Sequence, residues 1–294
     1  MTMERIDVVL PIYQPTDHVY EAIESVRSQS YEKWHLFIVD DASGDDSLAS
    51  IKNRYGDLNG KVTYFQSAQN RCAAACRNFA VGAGDGEYIA FIDQDDVWIQ
   101  DKLQLQHDYA CETDVDVVHG NVQFIDVHGR IIRKKRWEDD NESRRAVDWR
   151  RSSRVDLSHK IIKYPNIRII SSMVRRHAFE KIGGFKDWFF GGEDELFWFE
   201  MARNSNFGYL DHVLFYRRIH SENTCNKFKI ERLRGYIRSL NYIGEKYPDM
   251  SRSVIKAKLR QKALELTIES IRSMNGKDLI YGIKVFMARD IPFV

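Results

Sequence analysis

The stretch Gly86-Glu87-Tyr88-Ile89-Ala90-Phe91-Ile92-Asp93-Gln94-Asp95-Asp96-Val97-Trp98 decides how the rest of the chain is interpreted. Its apolar run, residues 88–92, has the character of a buried strand and is followed by three carboxylates within four positions. A core strand would bury each unpaired charge at a cost of several kcal/mol, so the strand must end at a polar site. In an extended chain Asp93 and Asp95 share one face.

Two carboxylates on one face indicate a site for a hard metal ion. Carboxylate oxygens suit Mg²⁺ or Mn²⁺, which proteins typically hold with one or two carboxylates together with substrate phosphates. The alternative is a solvated acidic turn that caps the helix predicted to begin near Ile99.

Strands and helices alternate through the first part of the chain. Strands are predicted at 6–13, 34–39, 62–66 and 88–92. Helices are predicted at 17–30, from after residue 46 to about residue 53, and at 71–83. This alternation predicts a parallel sheet with right-handed crossovers, in which ligands bind beyond the carboxyl ends of the strands. The acidic pair Asp40-Asp41 and the carboxylates of 93–96 fall at those ends.

The second part of the chain is less regular. We expect a helix at 102–111, strands at 115–125, 167–174 and 207–216, and a short helix at 175–182. Residues 133–154 carry dense charge of both signs with Trp137 and Trp149. They are interpreted as a solvated loop or, alternatively, as an acceptor-binding flap whose tryptophans stack on a sugar ring.

A second acidic turn follows Gly191-Gly192, two glycines that allow a close approach of the backbone. Glu193 and Asp194 then begin a helix, where they either complement the helix dipole or serve a catalytic function. Residues 226–294 are mostly helical and basic. They are predicted to pack as a helical cap or, alternatively, to touch anionic lipid.

Composition excludes several classes. The 294 residues, 43% of them hydrophobic, can build a substantial core. The positive charges of 44 Lys and Arg nearly cancel the negative charges of 43 Asp and Glu, so the chain lacks the overall positive charge that would predict a nucleic-acid partner. The four cysteines form no CxxC pair and are expected to have no metal or disulfide role. No leader or long uncharged apolar stretch is present, so we expect a cytoplasmic protein, at most peripheral on a membrane.

The ordered motifs resemble those of family 2 glycosyltransferases of GT-A fold. They are Leu10-Pro11-Ile12-Tyr13-Gln14, Val39-Asp40-Asp41-Ala42-Ser43, Arg77-Asn78, the 91–98 stretch, Gly192-Glu193-Asp194 and Tyr216-Arg217-Arg218-Ile219-His220-Ser221-Glu222-Asn223. Gln14 replaces the Asn that is more usual in the family, and the last 70 or so residues carry no family-wide motif.

This resemblance implies an α/β fold with a Rossmann-like, mostly parallel sheet flanked by helices. It places a GT-A domain at 1–224, with a nucleotide-sugar-binding half at 1–125 and an acceptor and catalytic-base half at 155–224. A C-terminal helical region, 225–294, would follow.

The resemblance also assigns site residues. Nucleotide-sugar contacts would come from Pro11, Tyr13, Asp41, Arg77 and Asp93. The metal, Mn²⁺ or Mg²⁺, would be bound by Asp95 and His220. Asp194 would be the catalytic base, with Glu193 orienting the acceptor or the base.

The implied function is an inverting, metal-dependent transfer from a UDP-sugar to a hydroxyl of a growing glycan. The expected acceptor is a lipid-linked oligosaccharide, O-antigen, lipopolysaccharide or capsule intermediate, with the C-terminal helices on an anionic membrane surface or forming a homodimer. A nucleotidyltransferase and a non-catalytic glycan-binding module are the alternatives. The segment 11–15 lacks the Gly-rich loop typical of nucleotidyltransferases, and a binding module needs neither base nor metal.

Overall fold

A computed structural model describes residues 4–132, 157–163, 167–189, 191–221, 223, 228–273 and 275–287. The chain forms two compact units. The first consists of Met1–Val155, Asn166–Phe185 and Asn204–His220, and the second of Asp156–Pro165, Lys186–Arg203 and Ser221–Val294. The run 133–154, with Trp137 and Trp149, lies outside the described residues.

A mixed sheet forms the first unit. Its strands within the described residues are β1 Ile6–Ile12, β2 Trp34–Asp40, β3 Val62–Gln66, β4 Tyr88–Phe91, β5 Val97–Trp98, β6 Val117–Ile125, β7 Ile131–Ile132, β8 Met173–Arg175 and β9 Phe207–Arg218. Their order is β3-β2-β1-β4-β8-β6-β9-β5, with β7 paired to β6. The long ladders, β1 with β2 and β4, β2 with β3 and β6 with β9, are parallel. The antiparallel ladders are two or three residues long.

Helices of the first unit connect these strands. They are α1 His18–Arg27, α2 Ser47–Tyr55, α3 Ala73–Ala83, α4 Lys102–Thr113 and α6 Arg176–Lys181. The apolar residues of α1 that follow helical spacing, Val19, Ala22, Ile23 and Val26, are buried against the sheet in one core cluster with Val8, Leu10 and Ile38. The alternation of strand and helix therefore positions the carboxyl ends of β1, β2 and β4 side by side.

Most predicted strands agree with the observed bounds to within two residues, and the main difference lies at 167–174. The strand predicted at 167–174 is wrong for most of its length, because Ile169–Ser171 form a 3₁₀ turn and only β8 is extended. The hydroxyls of Ser171 and Ser172 donate to the carbonyls of Arg168 and Ile169, a local bonding that competes with a sheet ladder. The strand predicted at 88–92 ends one residue earlier, at Phe91.

The second unit is helical in its described residues. It contains α5 Ser158–Lys163, α7 Glu193–Asn204, α8 Lys229–Lys246, α9 Arg252–Arg272 and α10 Gly276–Met287. Its core unites Leu196 and Phe199 of α7, Ile237 and Leu240 of α8, and Ile255, Leu259 and Leu266 of α9. The prediction of a mostly helical C-terminal region is confirmed for the described part. None of the described helices is both long and apolar enough to cross a bilayer.

Candidate active site

The loops at the carboxyl ends of β1 and β2 form the first wall of the candidate site. Gln14 and Ala42, neither of them glycine, have positive φ angles of 42° and 61°. Such conformations cost free energy and persist only where neighbouring contacts enforce them. Here Ser43 Oγ accepts a hydrogen bond from Gln14 N at 2.9 Å, and Ser43 N donates to Asp40 Oδ1 at 3.1 Å. Asp40 therefore holds both loops through Ser43.

Asp41 is buried at the end of β2 and organises the segment before α3. Its Oδ1 accepts from Arg71 N at 2.8 Å and its Oδ2 from Cys72 N at 2.9 Å. Each carboxylate oxygen can accept a second hydrogen bond, so this arrangement orients Asp41 without using its whole capacity.

Tyr13 and Gln94 connect the loop after β1 to the loop after β4. Tyr13 N donates to Gln94 Oε1 at 2.8 Å, and Gln94 Nε2 donates to Tyr13 O at 3.1 Å. The Tyr13 side chain itself is 45% exposed, so its ring remains accessible. Pro11, two positions earlier, is in β1 opposite Val39 of β2. Sequence reasoning missed this role of Gln94; a long amide between two carboxylates was the available signal.

Arg77 and Asp93 form an ion pair. Arg77 Nη2 donates to Asp93 Oδ1 at 2.8 Å, with the arginine side chain 6% exposed and that of the aspartate 35% exposed. The guanidinium also lies 5.5 Å from the centre of the Phe185 ring. α3 therefore delivers a buried, oriented cation to the end of β4, next to a carboxylate that solvent still reaches.

Asp95 and His220 meet although they are 125 positions apart. His220 Nε2 lies 2.8 Å from Asp95 Oδ2, and both side chains are partly accessible. The prediction that Asp93 and Asp95 share one face of a strand is wrong. The chain turns at 94–95, where Asp96 N donates to Asp93 O at 3.3 Å. The turn gives each carboxylate its own partner, Arg77 for Asp93 and His220 for Asp95.

Asp96 is buried behind this turn. Its Oδ1 accepts from Arg218 N at 3.0 Å. Burial raises the pKa of Asp96 well above its usual range, and the negative charges of Asp95 and Asp93 raise this pKa further. The three carboxylates thus differ in environment, and Asp96 supports the backbone at the end of β9.

Arg218, which lies within the 216–223 motif, is buried and positions its neighbours, a role that the motif alone did not predict. Its Nε donates to Asp95 O at 3.2 Å, and its Nη1 donates to the carbonyls of Asp126 and Val127, both at 3.2 Å. Its Nη2 donates to Glu21 Oε2 at 2.7 Å. One guanidinium therefore fixes the backbone of Asp95 relative to two other segments.

We predict that Arg218→Met destabilises the protein by about 2 to 4 kcal/mol, since each buried carbonyl left without a donor costs ~1–3 kcal/mol. Urea unfolding measures this change. If Asp95 binds the metal that the family resemblance implies, the Mn²⁺ concentration for half-maximal activity should also rise, because the Asp95 backbone loses its support. Arg130→Met, which removes an exposed ion pair with Asp126, is the control and should change stability by less than about 0.5 kcal/mol. Unchanged stability in Arg218→Met would contradict the role.

In the second unit, the start of α7 packs closely on α8. Gly191 has φ +84°, and a Cβ there would lie 2.8 Å from Glu231 O. A Cβ on Gly192 would lie 2.5 Å from Gly235 O, and Ser239 Oγ donates to Gly192 O at 2.9 Å. The two glycines therefore permit the close approach expected from the sequence, and they set the positions of Glu193 and Asp194 in the first turn of α7.

Glu195 follows in the same turn and has an unusual environment. Although part of its surface is accessible, the side chain lines a pocket with room for about one water molecule, among Ile162, Phe199 and Tyr236. Burial raises the pKa of Glu195 to about 7, and the charge of Asp194 contributes in the same direction. Glu195 therefore resists ionisation beside its acidic neighbour.

Asp95 and His220 are suited to binding a divalent cation. A carboxylate oxygen and an imidazole nitrogen already lie within hydrogen-bonding distance, and neither side chain is sealed from solvent. Carboxylate suits Mg²⁺ and Mn²⁺ alike, whereas imidazole favours the transition metal.

A family model described as "Glycosyl transferase family 2" matches residues 7–183. Among curated relatives, an Escherichia coli protein named UDP-Glc:alpha-D-GlcNAc-diphosphoundecaprenol beta-1,3-glucosyltransferase WfgD is 30% identical over 120 residues, 41% of this chain and 46% of the relative. The chain spans about half or less of the length of several other curated relatives as well.

Solved structures share the fold. TarS 1–349 of S. aureus in complex with UDP-GlcNAc superimposes with a TM-score of 0.68 at 18% identity, covering 96% of this chain and 81% of that one. Mannosyltransferase PcManGT from Pyrobaculum calidifontis, in complex with GDP-Man and Mn²⁺, gives a TM-score of 0.61 at 15% identity over 97% of this chain and 85% of that one. The predicted α/β fold with a mostly parallel sheet and C-terminal helices is confirmed.

Proposed function

The chain belongs to glycosyl transferase family 2, and we propose that it is an inverting transferase that moves a sugar from a UDP-sugar to a hydroxyl of a growing glycan. The observation that carries the proposal is the meeting of Asp95 and His220 at 2.8 Å at the carboxyl end of the sheet. A carboxylate with an imidazole at this edge is suited to a metal-bound diphosphate, whereas a capping turn requires no histidine.

The donor would lie across the ends of β1, β2 and β4. Asp41 would accept an N–H of the nucleotide base, beside the backbone of Pro11 and Tyr13, with the exposed Tyr13 ring against the base. Asp93 would contact the ribose or the sugar. Arg77, held by Asp93, would contribute its guanidinium charge toward the nucleotide or its diphosphate.

Asp95 and His220 would hold the divalent cation, with Mn²⁺ favoured by the imidazole. When bound, such a cation offsets the negative charge that develops on the departing diphosphate. Arg218 would act only through Asp95, by keeping its backbone in place.

Asp194 would serve as the general base. It would accept the proton of the acceptor hydroxyl while the hydroxyl oxygen attacks the anomeric carbon from the face opposite the nucleotide. A new C–O bond forms as the bond to the diphosphate breaks, so this single displacement inverts the anomeric configuration. Glu193 would orient the acceptor or the base.

UDP as the nucleotide and a lipid-linked acceptor are proposed from the relatives. The E. coli relative is named for UDP-glucose and a diphosphoundecaprenol acceptor, and the TarS structure contains UDP-GlcNAc. These names support the proposal that this chain acts in the synthesis of a lipid-linked oligosaccharide, O-antigen, lipopolysaccharide or capsule intermediate.

An apolar face on α9 and α10 supports contact with a membrane. The exposed apolar side chains are Leu264, Ile268, Ile271, Ile280, Ile283, Phe286 and Met287. A Cβ on Gly282 would meet Thr267 and Ala263, which defines the line along which the two helices touch. Leu264 comes directly after Ala263, and Ile283 comes directly after Gly282, so each side chain lies about 100° around its helix from the line of contact. In two antiparallel helices, these two offsets point to the same side of the pair.

Exposed basic side chains, Arg260, Lys277 and Lys284, accompany the apolar face. Cations beside apolar side chains match a surface of anionic phospholipid, where both hydrophobic burial and charge contribute to binding. We therefore propose that this face rests on the membrane that carries the acceptor, with a second copy of the chain as the alternative occupant.

Ile271→Glu combined with Ile283→Glu should lower the affinity for anionic liposomes more than 10-fold, since burying one such side chain contributes about 1.5–3 kcal/mol. Co-sedimentation measures the bound fraction, and Ile131→Glu, an exposed isoleucine on β7, is the control. Equal binding by the double variant and the unmodified chain would contradict the membrane proposal. If the unmodified chain formed a dimer and the double variant were monomeric, the face would be assigned to contact with a second copy.

A panel of nucleotide sugars with Mn²⁺, Mg²⁺ or EDTA tests the proposed function. We expect metal-dependent release of UDP from at least one UDP-sugar, accelerated by a glycolipid acceptor. Pyrophosphate release from UTP would instead indicate a nucleotidyltransferase. Sugar binding without turnover would indicate a binding module.

A further inference from the structure

His107 and Cys111 lie on one face of α4, because residues four apart are neighbours on a helix. Cys111 Sγ lies 3.7 Å from His107 Nε2, and Cys111 is a free thiol. Glu4, which precedes β1, brings its Oε2 to 3.9 Å from the same nitrogen. One ligand atom from each of the three side chains lies within 4.8 Å of the other two.

These separations are close to those of a bound metal. Zn²⁺ binds Cys sulfur at about 2.3 Å, His nitrogen at about 2.0–2.1 Å and carboxylate oxygen at about 2.0–2.2 Å. Tetrahedral angles then put two ligand atoms roughly 3.3–3.6 Å apart. The Cys111–His107 and Glu4–His107 distances exceed that range by only a few tenths of an ångström. Glu4 and Cys111 lie within 4.8 Å of each other, and side-chain rotation would have to bring them closer.

The His107 ring is held in position by its surroundings. The Tyr31 ring lies 4.8 Å from it and the Tyr88 ring 5.8 Å, between centroids. Asp108 Oδ1 lies 3.6 Å from His107 Nδ1, the second ring nitrogen, which is itself 3.9 Å from Cys111 Sγ. A carboxylate at the second ring nitrogen is a common outer partner of a metal-ligating histidine.

We propose that Glu4, His107 and Cys111 form a binding site for a thiophilic divalent cation, Zn²⁺, with Asp108 as the outer partner of His107. A ligand set of sulfur, nitrogen and oxygen suits Zn²⁺ and is poorly matched to Mg²⁺ or Mn²⁺. Three protein ligands leave the fourth position to water. No metal role was expected from the spacing of the cysteines from one another, whereas the partners of Cys111 are His107, one turn earlier on α4, and Glu4, two residues before β1.

The location separates this cation from the donor metal. Glu4 precedes β1, Tyr31 precedes β2 and Tyr88 begins β4, so the cluster lies at the amino ends of these strands. Asp95 follows the carboxyl end of β4. A Zn²⁺ ion here would join the start of β1 to α4, and its effect would be on stability rather than on sugar transfer.

Titration of the full chain with Co²⁺, a spectroscopic substitute for Zn²⁺, tests the site. Co²⁺ bound to a thiolate gives a charge-transfer absorption band in the near ultraviolet, which oxygen and nitrogen ligands do not. We expect this band at one Co²⁺ per chain, its loss on addition of Zn²⁺, and a rise in Tm with Zn²⁺.

Variants distinguish this site from other ligands. Cys111→Ser should abolish the band and lower Zn²⁺ affinity more than about 100-fold, whereas Asp108→Asn should lower it about 10-fold, as is typical of an outer partner. Cys72→Ser and Asp95→Ala are the controls and should keep the band. Circular dichroism checks that each variant is folded.

Absence of the band at stoichiometric Co²⁺ would overturn the proposal, and so would a band that persists in folded Cys111→Ser. Loss of the band in Cys72→Ser or Asp95→Ala would assign the cation to other ligands and would also overturn it. Because these measurements do not depend on turnover, their failure leaves the glycosyltransferase proposal unaffected.

Discussion

Asp194→Asn is expected to lower kcat for sugar transfer by about 10²- to 10⁴-fold, because Asp194 is the proposed general base and this is the usual effect of removing one. The amide is nearly isosteric with the carboxylate but does not accept the proton of the acceptor hydroxyl. The KM for the donor should change little, because the proposed donor contacts are made by other residues. Initial rates of UDP release with saturating acceptor measure the effect.

Glu195→Gln is the matched control for this prediction. It also replaces a carboxylate by an amide in the first turn of α7, one position away, but in a side chain that lines the apolar pocket. We expect its kcat to stay within a few-fold of the unmodified enzyme. The kcat of Glu193→Gln should lie between those of Asp194→Asn and Glu195→Gln. A large loss in Glu195→Gln with normal turnover in Asp194→Asn would contradict the assignment of the base.

Asp95→Ala should lower kcat/KM for the UDP-sugar by more than about 100-fold, because a Lewis-acid metal contributes several kcal/mol and each ~1.4 kcal/mol is a factor of ten. Mn²⁺ affinity in the presence of UDP, followed by the paramagnetic resonance of the free ion, should fall in parallel. His220→Asn should have a smaller effect on both quantities, since it removes a neutral ligand.

The control for Asp95→Ala is Asp114→Ala, which removes an exposed carboxylate paired only at the surface with Arg175. Its kinetics and Mn²⁺ binding should be unchanged. If Asp95→Ala kept full, EDTA-sensitive activity, the metal would have to be held elsewhere.

Periodicity was sufficient to predict the parallel part of the sheet. Val62–Gln66 has the predicted bounds, and the apolar positions of α1 are buried as their spacing requires. The reason is that strand and helix periods in this part of the chain coincide with one buried face, so local pattern and tertiary packing agree.

Two of the features that sequence reasoning missed depend on contacts between distant residues. Arg218 donates a hydrogen bond to the carbonyl of Asp95, 123 positions away in the sequence, and Gln94 is hydrogen-bonded to Tyr13, 81 positions away. The local sequence does not identify the partner of either side chain. At 167–174 the apolar residues favoured a strand, but the hydroxyls of Ser171 and Ser172 bond to nearby carbonyls and the backbone turns. At 93–96 a turn, rather than an extended strand, decides where each carboxylate points.

A crystal structure of the chain with UDP and Mn²⁺ tests the central claim most directly. We predict Mn²⁺ bound to a carboxylate oxygen of Asp95 and to His220, with the diphosphate on the ion and the Asp194 carboxylate facing the space where the sugar would lie. An ion bound without Asp95, or an Asp194 carboxyl turned away from that space, would contradict the account.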